Sequence, residues 1–184
     1  MSVSARIAVG ILPMVFVAWF VFTPVDAAPS DTGGVELKAI KYRDLGQAVR
    51  GQRGKVVLID VWADFCIPCK KEFHNLVEMN KEDAAKGLVC MSVSVDPPKD
   101  KKAPAPPPKT LDFLIRQKAV FANYWLDEDA KVWTERWKIG GPPAVFVFDR
   151  QGRRAGKFDR EDPDSNWEYG DVKKLVQKLL AQSP

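Results

Sequence analysis

The sequence predicts an α/β domain with a central mixed β-sheet flanked by helices, on three observations. Two apolar, β-branched runs, "KVVLIDVWA" and "LVCMSVSVD", bracket a segment whose apolar residues recur at helical spacing. "PAVFVFD" and "RRAGKFD" are two extended runs joined by the short turn "RQG", which contains Gly152. The last stretch puts Val172, Leu175, Val176, Leu179 and Leu180 on one helical stripe. The first observation is a strand-helix-strand unit, whose right-handed crossover makes its strands parallel; the second adds a hairpin. With 184 residues, 46% hydrophobic and 28% charged, the chain can bury an ordinary single-domain core without disulfides.

At the N-terminus, Arg6 precedes an apolar run from Ile7 to Phe22 that closes on "VDAAPS", with Val25 and Ala27 spaced as a signal-peptidase site expects. Gly10 and Pro13 interrupt the run, and its 16 residues fall short of the about 20 that a spanning helix needs. Residues 1–27 are therefore expected to be a cleaved signal peptide, with an uncleaved membrane anchor as the alternative. Residues 28–184 form the domain, which either reading puts in the periplasm or on the extracytoplasmic face of the membrane. Removing Arg6 and Asp26 together leaves the net charge at +4.

A short strand is expected near Val35 to Ile40, followed by a turn or short helix before Gly54. Lys55 to Ala63 shows little alternation, which suits a central strand buried on both faces. From Pro68 a helix is expected, with Phe73, Leu76, Val77 and Met79 on its apolar side and Gly87 at its end. Pro97 to Lys109, "PPKDKKAPAPPPK", is expected to be neither helix nor central strand, because its prolines lack amide donors and favour an extended chain. It reads as an exposed loop insertion. Because it leaves the same sheet edge as Cys66, it could also wall the site. Thr110 to Lys118 and Asp127 to Ile139 read as helices, the second placing Val132, Trp133, Arg136 and Trp137 at helical spacing, with its tryptophans in the core or lining a cleft. Asp171 is expected to cap the closing helix.

The charge excess is mild and dispersed, with no arginine-rich helix and no aromatic-basic repeat, so nucleic-acid binding is excluded as an expectation. The chemistry concentrates in "VWADFCIPCKKEF". Three cysteines leave one without an internal partner, and the close pair Cys66 and Cys69 can be a staple, half of a metal site or a redox couple. A zinc set of Cys66, Cys69, His74 and Cys90 has suitable ligand types, but the gap to Cys90 fits no familiar zinc spacing. His74 reads instead as a helix-surface residue and Cys90 as a small buried hydrophobe. Asp60 is a carboxylate inside an apolar strand, where burial is costly without a purpose or partner; a hydrated place at a strand edge is the alternative.

Three segments, "KVVLIDVWADFCIPCKKEF", "VSVD" and "WKIGGPPAVFVFDRQGR", occur in an order and at distances that resemble the thioredoxin-like family, and within it the exported TlpA/ResA-type group. The resemblance covers roughly Val35 to the C-terminus. It implies a three-layer sandwich and an exported thiol:disulfide oxidoreductase acting on protein thiols or disulfides. No cofactor beyond the Cys66 and Cys69 couple and no metal is implied; a membrane-linked electron donor and a monomeric state are. In such a site Cys66 sits where a strand ends and a helix begins, so helix amides stabilise its thiolate and make it the nucleophile. Cys69, one turn later, resolves the mixed disulfide. Pro68 in the first turn sacrifices no hydrogen bond.

By resemblance Asp60 matches a buried acid that takes the proton of the resolving cysteine, with burial raising its pKa toward neutrality. Pro143 matches the family's cis-proline, which faces the cysteines and helps present the substrate. Pro142 departs from the pattern, since it has no amide hydrogen to offer a strand-like substrate. Phe65 departs too, standing where relatives usually carry Trp, which keeps an apolar contact and loses the indole donor. Ile67 supplies no cation between the cysteines, and proline after it resembles reducing members, so a reductase is expected. Phe65, Ile67, Pro68, Pro142 and Pro143 are the expected substrate-binding residues. A peroxidase of the related peroxiredoxin type would want a threonine-containing approach to its cysteine, which "WADFCIPC" lacks. The non-enzymatic alternative is a binding module whose cysteine pair is a permanent staple.

Overall fold

The computed structural model describes residues 32–100, 102, 104–160 and 166–182, so the expected signal or anchor lies outside the described residues. The elements run β1 (Lys38–Ile40), α1 (Tyr42–Arg50), β2 (Val56–Trp62), α2 (Ile67–Asp83), a 3-10 turn, β3 (Leu88–Ser94), α3 (Pro108–Gln117), β4 (Ala122–Leu126), α4 (Ala130–Trp137), β5 (Ala144–Phe148), β6 (Arg154–Asp159) and α5 (Tyr169–Leu180). They form one six-stranded sheet in the order β1-β4-β3-β2-β5-β6. Neighbours from β1 to β2 pair parallel, while β5 pairs antiparallel with both β2 and β6. The sheet is therefore mixed, as expected, with β2 at its centre and every β2 residue buried.

The strand-helix-strand unit holds because each side of α2 has a use. Phe73, Leu76, Val77 and Met79 are buried on the sheet, and His74 is exposed. Phe73 packs edge-on to Trp62 of β2 at 5.4 Å and to Phe113 of α3 at 5.1 Å. Truncating such a fully buried ring costs about 3–5 kcal/mol, because transfer and cavity terms add. Helix α5 covers the same face, tied to the end of α2 by the Gln177 amide, which donates to Asp83 Oδ2 at 2.7 Å. The opposite face carries α1 and α4, where the Trp137 ring lies 5.5 Å from Tyr42 and 5.6 Å from Phe146. The result is helices, sheet, helices.

Several boundaries differ from the sequence expectation. Strand β4 was not foreseen; it inserts between β3 and β1. Strand β1 is confined to Lys38–Ile40, and the uncertain segment after it is a nine-residue helix. Helix α3 takes Pro108 and Lys109 from the insertion, because a proline fits the first helical turn, where amides have no intrahelical partner. Helix α4 begins at Ala130, capped by Asp129, whose side chain accepts from the Lys131 amide at 2.8 Å. Asp171 is not the cap of α5. Glu168 is, and Asp171 sits three residues on, its carboxylate accepting from the Glu168 amide at 3.2 Å.

Asp96, just past β3, is buried and gathers four donors. Its Oδ1 accepts from the Asp64 amide at 2.8 Å, its Oδ2 from Ser94 Oγ at 2.7 Å and Thr110 Oγ1 at 3.0 Å, and its carbonyl from Trp125 Nε1 at 2.7 Å. Both roots of the proline-rich insertion and the turn before Cys66 thus meet at one residue.

Candidate active site

Strand β2 ends at Trp62, and a turn through Asp64 delivers Cys66 to the N-cap of α2. The Cys66 backbone is extended there, and its Sγ accepts from the Cys69 amide at 3.3 Å, as a cap does. Cys66 and Cys69 form a disulfide with Cα atoms 5.3 Å apart. Pro68 lies in the first helical turn. Both cysteines are buried, whereas Phe65 is 65% and Ile67 76% exposed. Beside the turn, Lys70 Nζ meets Asp64 Oδ1 at 3.0 Å.

A cavity of about 470 Å³ opens beneath Cys69, with Asp60, Glu72, Pro143, Arg160 and Tyr169 among its walls. Asp60 is central in β2, in register with Ser92 of β3 and Val145 of β5, so the strand-edge alternative is overturned. Its side chain is 4% exposed, and Oδ2 accepts from the Tyr169 hydroxyl at 2.8 Å. Burial pushes the Asp60 carboxyl up to about 7, an effect the Tyr169 hydrogen bond partly offsets by favouring the charged form. Burial first, then the Asp60 charge, moves the Tyr169 phenol well above its ordinary value. A carboxyl poised near neutrality on the wall of the cavity that Cys69 also lines has the chemistry of a proton acceptor.

The Pro142–Pro143 peptide is cis. Pro143 lines the cavity directly ahead of β5, and Pro142 is half-buried beside it. The structure thus brings Asp60, Pro68, Cys69 and Pro143 to one cavity, with Cys66 joined to it through the disulfide to Cys69. Phe65 and Ile67 stand outside it. Phe65 differs from the expectation of a retained apolar contact: its ring is open to solvent, since the turn points it away from the core. His74 Nδ1 lies 2.9 Å from the Lys71 carbonyl on the helix surface. Cys90 is buried on β3, paired in register with Leu58, and burial, then the Asp60 and Asp83 charges, raise its thiol pKa so that it stays protonated. Tyr169, Glu72 and Arg160 were missed by the sequence reading. Tyr169 lies 109 positions from Asp60, and the only local hint was a phenol at the head of the closing amphipathic helix.

A cysteine pair closing a disulfide at the head of the first helix on a thioredoxin-like sheet defines the class: the protein is a thiol:disulfide oxidoreductase. Residues 31–153 match the AhpC/TSA family, and the chain belongs to that family. It is 27% identical over 133 residues to the thiol:disulfide interchange protein HelX of Rhodobacter capsulatus, covering 70% of this chain and 68% of HelX. Among solved structures it is similar to the thioredoxin domain of a thiol-disulfide oxidoreductase from Bacteroides vulgatus, with 26% identity, a TM-score of 0.52, and 68% of this chain and 82% of that one covered. A thioredoxin family thiol:disulfide interchange protein from Chlorobium tepidum shares the fold at a TM-score of 0.54 with 19% identity, over 71% and 83% of the two chains.

Proposed function

We propose that this protein is an exported reductase of protein disulfides, cycling Cys66 and Cys69 between dithiol and disulfide. The observation that carries the reading is the shared cavity of Cys69, buried Asp60 and Pro143. In the reduced protein, the Cys66 thiolate at the head of α2 attacks one sulfur of a substrate disulfide, and the other sulfur leaves as a thiolate. Asp60 then takes the Cys69 proton, and the Cys69 thiolate attacks Cys66 Sγ. The second substrate sulfur departs, two electrons have passed to the substrate, and the Cys66–Cys69 disulfide remains. A partner dithiol, linked to the membrane, must reduce that disulfide again.

Phe65 and Ile67 supply exposed apolar surface flanking the disulfide, suited to a substrate chain presented against Pro143, with the Pro142 carbonyl available as acceptor. The names of the interchange relatives support exchange with protein partners. Export is supported by the Arg6, Ile7 to Phe22 and Ala27 pattern; among the described residues no helix is long and apolar enough to cross a membrane. The test is the equilibrium potential of the couple, measured beside insulin reduction by the wild type and Cys69→Ser. A potential near about −270 mV, with turnover abolished and a mixed disulfide trapped in Cys69→Ser, supports a reductase. A much more oxidising potential makes it an oxidase or isomerase. A couple that resists reduction and turns nothing over makes it a binding module with a structural staple.

A further inference from the structure

Among the described residues, one side chain donates a hydrogen bond to Asp60, and it comes from the far end of the chain. Tyr169 is the first residue of α5, buried, with its hydroxyl 2.8 Å from Asp60 Oδ2. Its position is enforced by its surroundings. The Trp167 ring lies 6.5 Å away, Trp167 Nε1 donates to the Asp159 carbonyl at 2.9 Å, and the capping pair Glu168 and Asp171 fixes the start of the helix. A phenol held this firmly leaves Asp60 little freedom to turn about its side-chain bonds.

We propose that Tyr169 is a positioning residue for the resolving step, holding the Asp60 carboxyl in the orientation from which it takes the Cys69 proton. The inference rests on the reading of Cys66 and Cys69 as an exchanging couple. A hydroxyl donating to a carboxylate favours the charged, basic form, so Tyr169 also counteracts the burial of Asp60 and keeps a fraction of it ready as base near neutral pH. Among the described residues, the other ionisable groups facing this carboxyl are Glu72 and, in the reduced protein, Cys69 from α2, Cys90 from β3, Glu168 ahead of α5, and Arg160 after β6. Arg160 is the cation among them, and it lies over the Trp167 ring at 5.7 Å. Tyr169 is the residue among these with a direct hydrogen bond to Asp60.

The test follows the reduced full-length protein reacting with a small aromatic disulfide, 5,5′-dithiobis(2-nitrobenzoate), from pH 5 to 9. The first released thiolate reports attack by Cys66, and the second reports closure by Cys69. In the wild type the second phase should accelerate with a midpoint near 7. Tyr169→Phe should move that midpoint upward and slow the second phase about tenfold at pH 6, since one unit of pKa is a factor of ten. Its first phase should be unchanged, and its second phase should stay slower than the wild type's just above the midpoint too, where the carboxyl is charged in both proteins but anchored only in the wild type. In an Asp60→Asn background, Tyr169→Phe should add no further pH effect.

Carbon NMR of the Asp60 carboxyl, in the wild type and Tyr169→Phe, reads the same ionisation without any turnover. A carboxyl midpoint and a kinetic midpoint that rise together support the proposal. A kinetic midpoint that stays put overturns it, whether or not the variant melts earlier and whether or not the carboxyl titration moves. A wild type with no second phase sinks the exchanging couple and the role of Tyr169 with it. A wild type whose second phase depends on Asp60 but not on Tyr169 leaves the couple standing and removes the positioning role alone.

Discussion

Asp60 and Asp96 are buried carboxyls associated with neighbouring central strands, yet their surroundings differ in kind. The Asp96 side chain is filled with donors, from the Asp64 amide, Ser94 and Thr110, and it knots three segments together. Asp60 has the Tyr169 hydroxyl as its side-chain donor and borders a cavity that also holds Cys69. Two carboxyls can be equally buried and still be built into the fold in different ways. The two differ in what surrounds the carboxyl: three donors from separate segments at Asp96, one phenol and a cavity at Asp60. Asp96 thus fastens three segments, whereas Asp60, as proposed above, is free to serve the cysteine pair.

The largest expected effect tests the fastening. Asp96→Ala strands the Asp64 amide and the Ser94 and Thr110 hydroxyls, and should destabilise the oxidised protein by about 4 kcal/mol in urea unfolding. The pH midpoint of the closing step should stay where it is in the folded fraction. If that midpoint moved as far as in an Asp60 variant, the division between the two residues would collapse.

Next in size, Asp60→Asn should slow closure of the Cys66–Cys69 disulfide by about 100-fold at pH 7, the low end of what general base catalysis supplies. Stopped-flow measurement of the second thiolate release reads it. A loss below twofold would show that Cys69 finds its base elsewhere.

The same substitution has a smaller signature in stability, with a definite sign. The folded-state pKa of Asp60, about 7, is raised above the ordinary 3.8. Between those values the folded protein holds a proton that the unfolded chain releases, so this contribution is full below about pH 4 and is lost as pH rises through 7. The wild type should lose stability relative to Asp60→Asn by about 1.4 kcal/mol per pH unit across that window. Urea unfolding of the two oxidised proteins at pH 4.5, 5.5 and 6.5 gives the difference; parallel curves would mean that Asp60 is hydrated. Smallest of all, Thr110→Val removes one donor from Asp96 and should cost about 1 kcal/mol in urea unfolding, with the rate of closure unchanged.

What was legible in the sequence was what local periodicity and local chemistry carry. The β2-α2-β3 unit was readable because a doubly buried strand is apolar throughout and an amphipathic helix repeats every three to four residues. The cysteines, Pro68 and Asp60 were readable as chemistry out of place in their own segments. Strand β4 was hidden by Asn123, a residue poorly suited to strands, which is tolerated because its amide donates to the carbonyls of Ala119 and Phe121 at 2.8 Å each. The cap of α5 was misassigned because Asp is the favoured capping type, whereas here it serves from the third helical position. The role of Tyr169 was not legible beyond a phenol at the head of the closing helix, since its partner is Asp60 of β2, which no local pattern specifies.

The knot at Asp96 also changes what the proline-rich insertion costs. The segment departs at Asp96 and returns at Thr110, two points already fastened to each other. Its ends are therefore joined whatever its length. Closing a flexible loop grows harder only with the logarithm of its size, about 0.6 kcal/mol for each doubling. New residues added at 97 to 107 would thus change the reach and composition of this arm while leaving the turn before Cys66 in place. A tag or foreign recognition sequence spliced between the two fastened ends is expected to leave the rate of disulfide closure unchanged, as stopped-flow thiolate release would read.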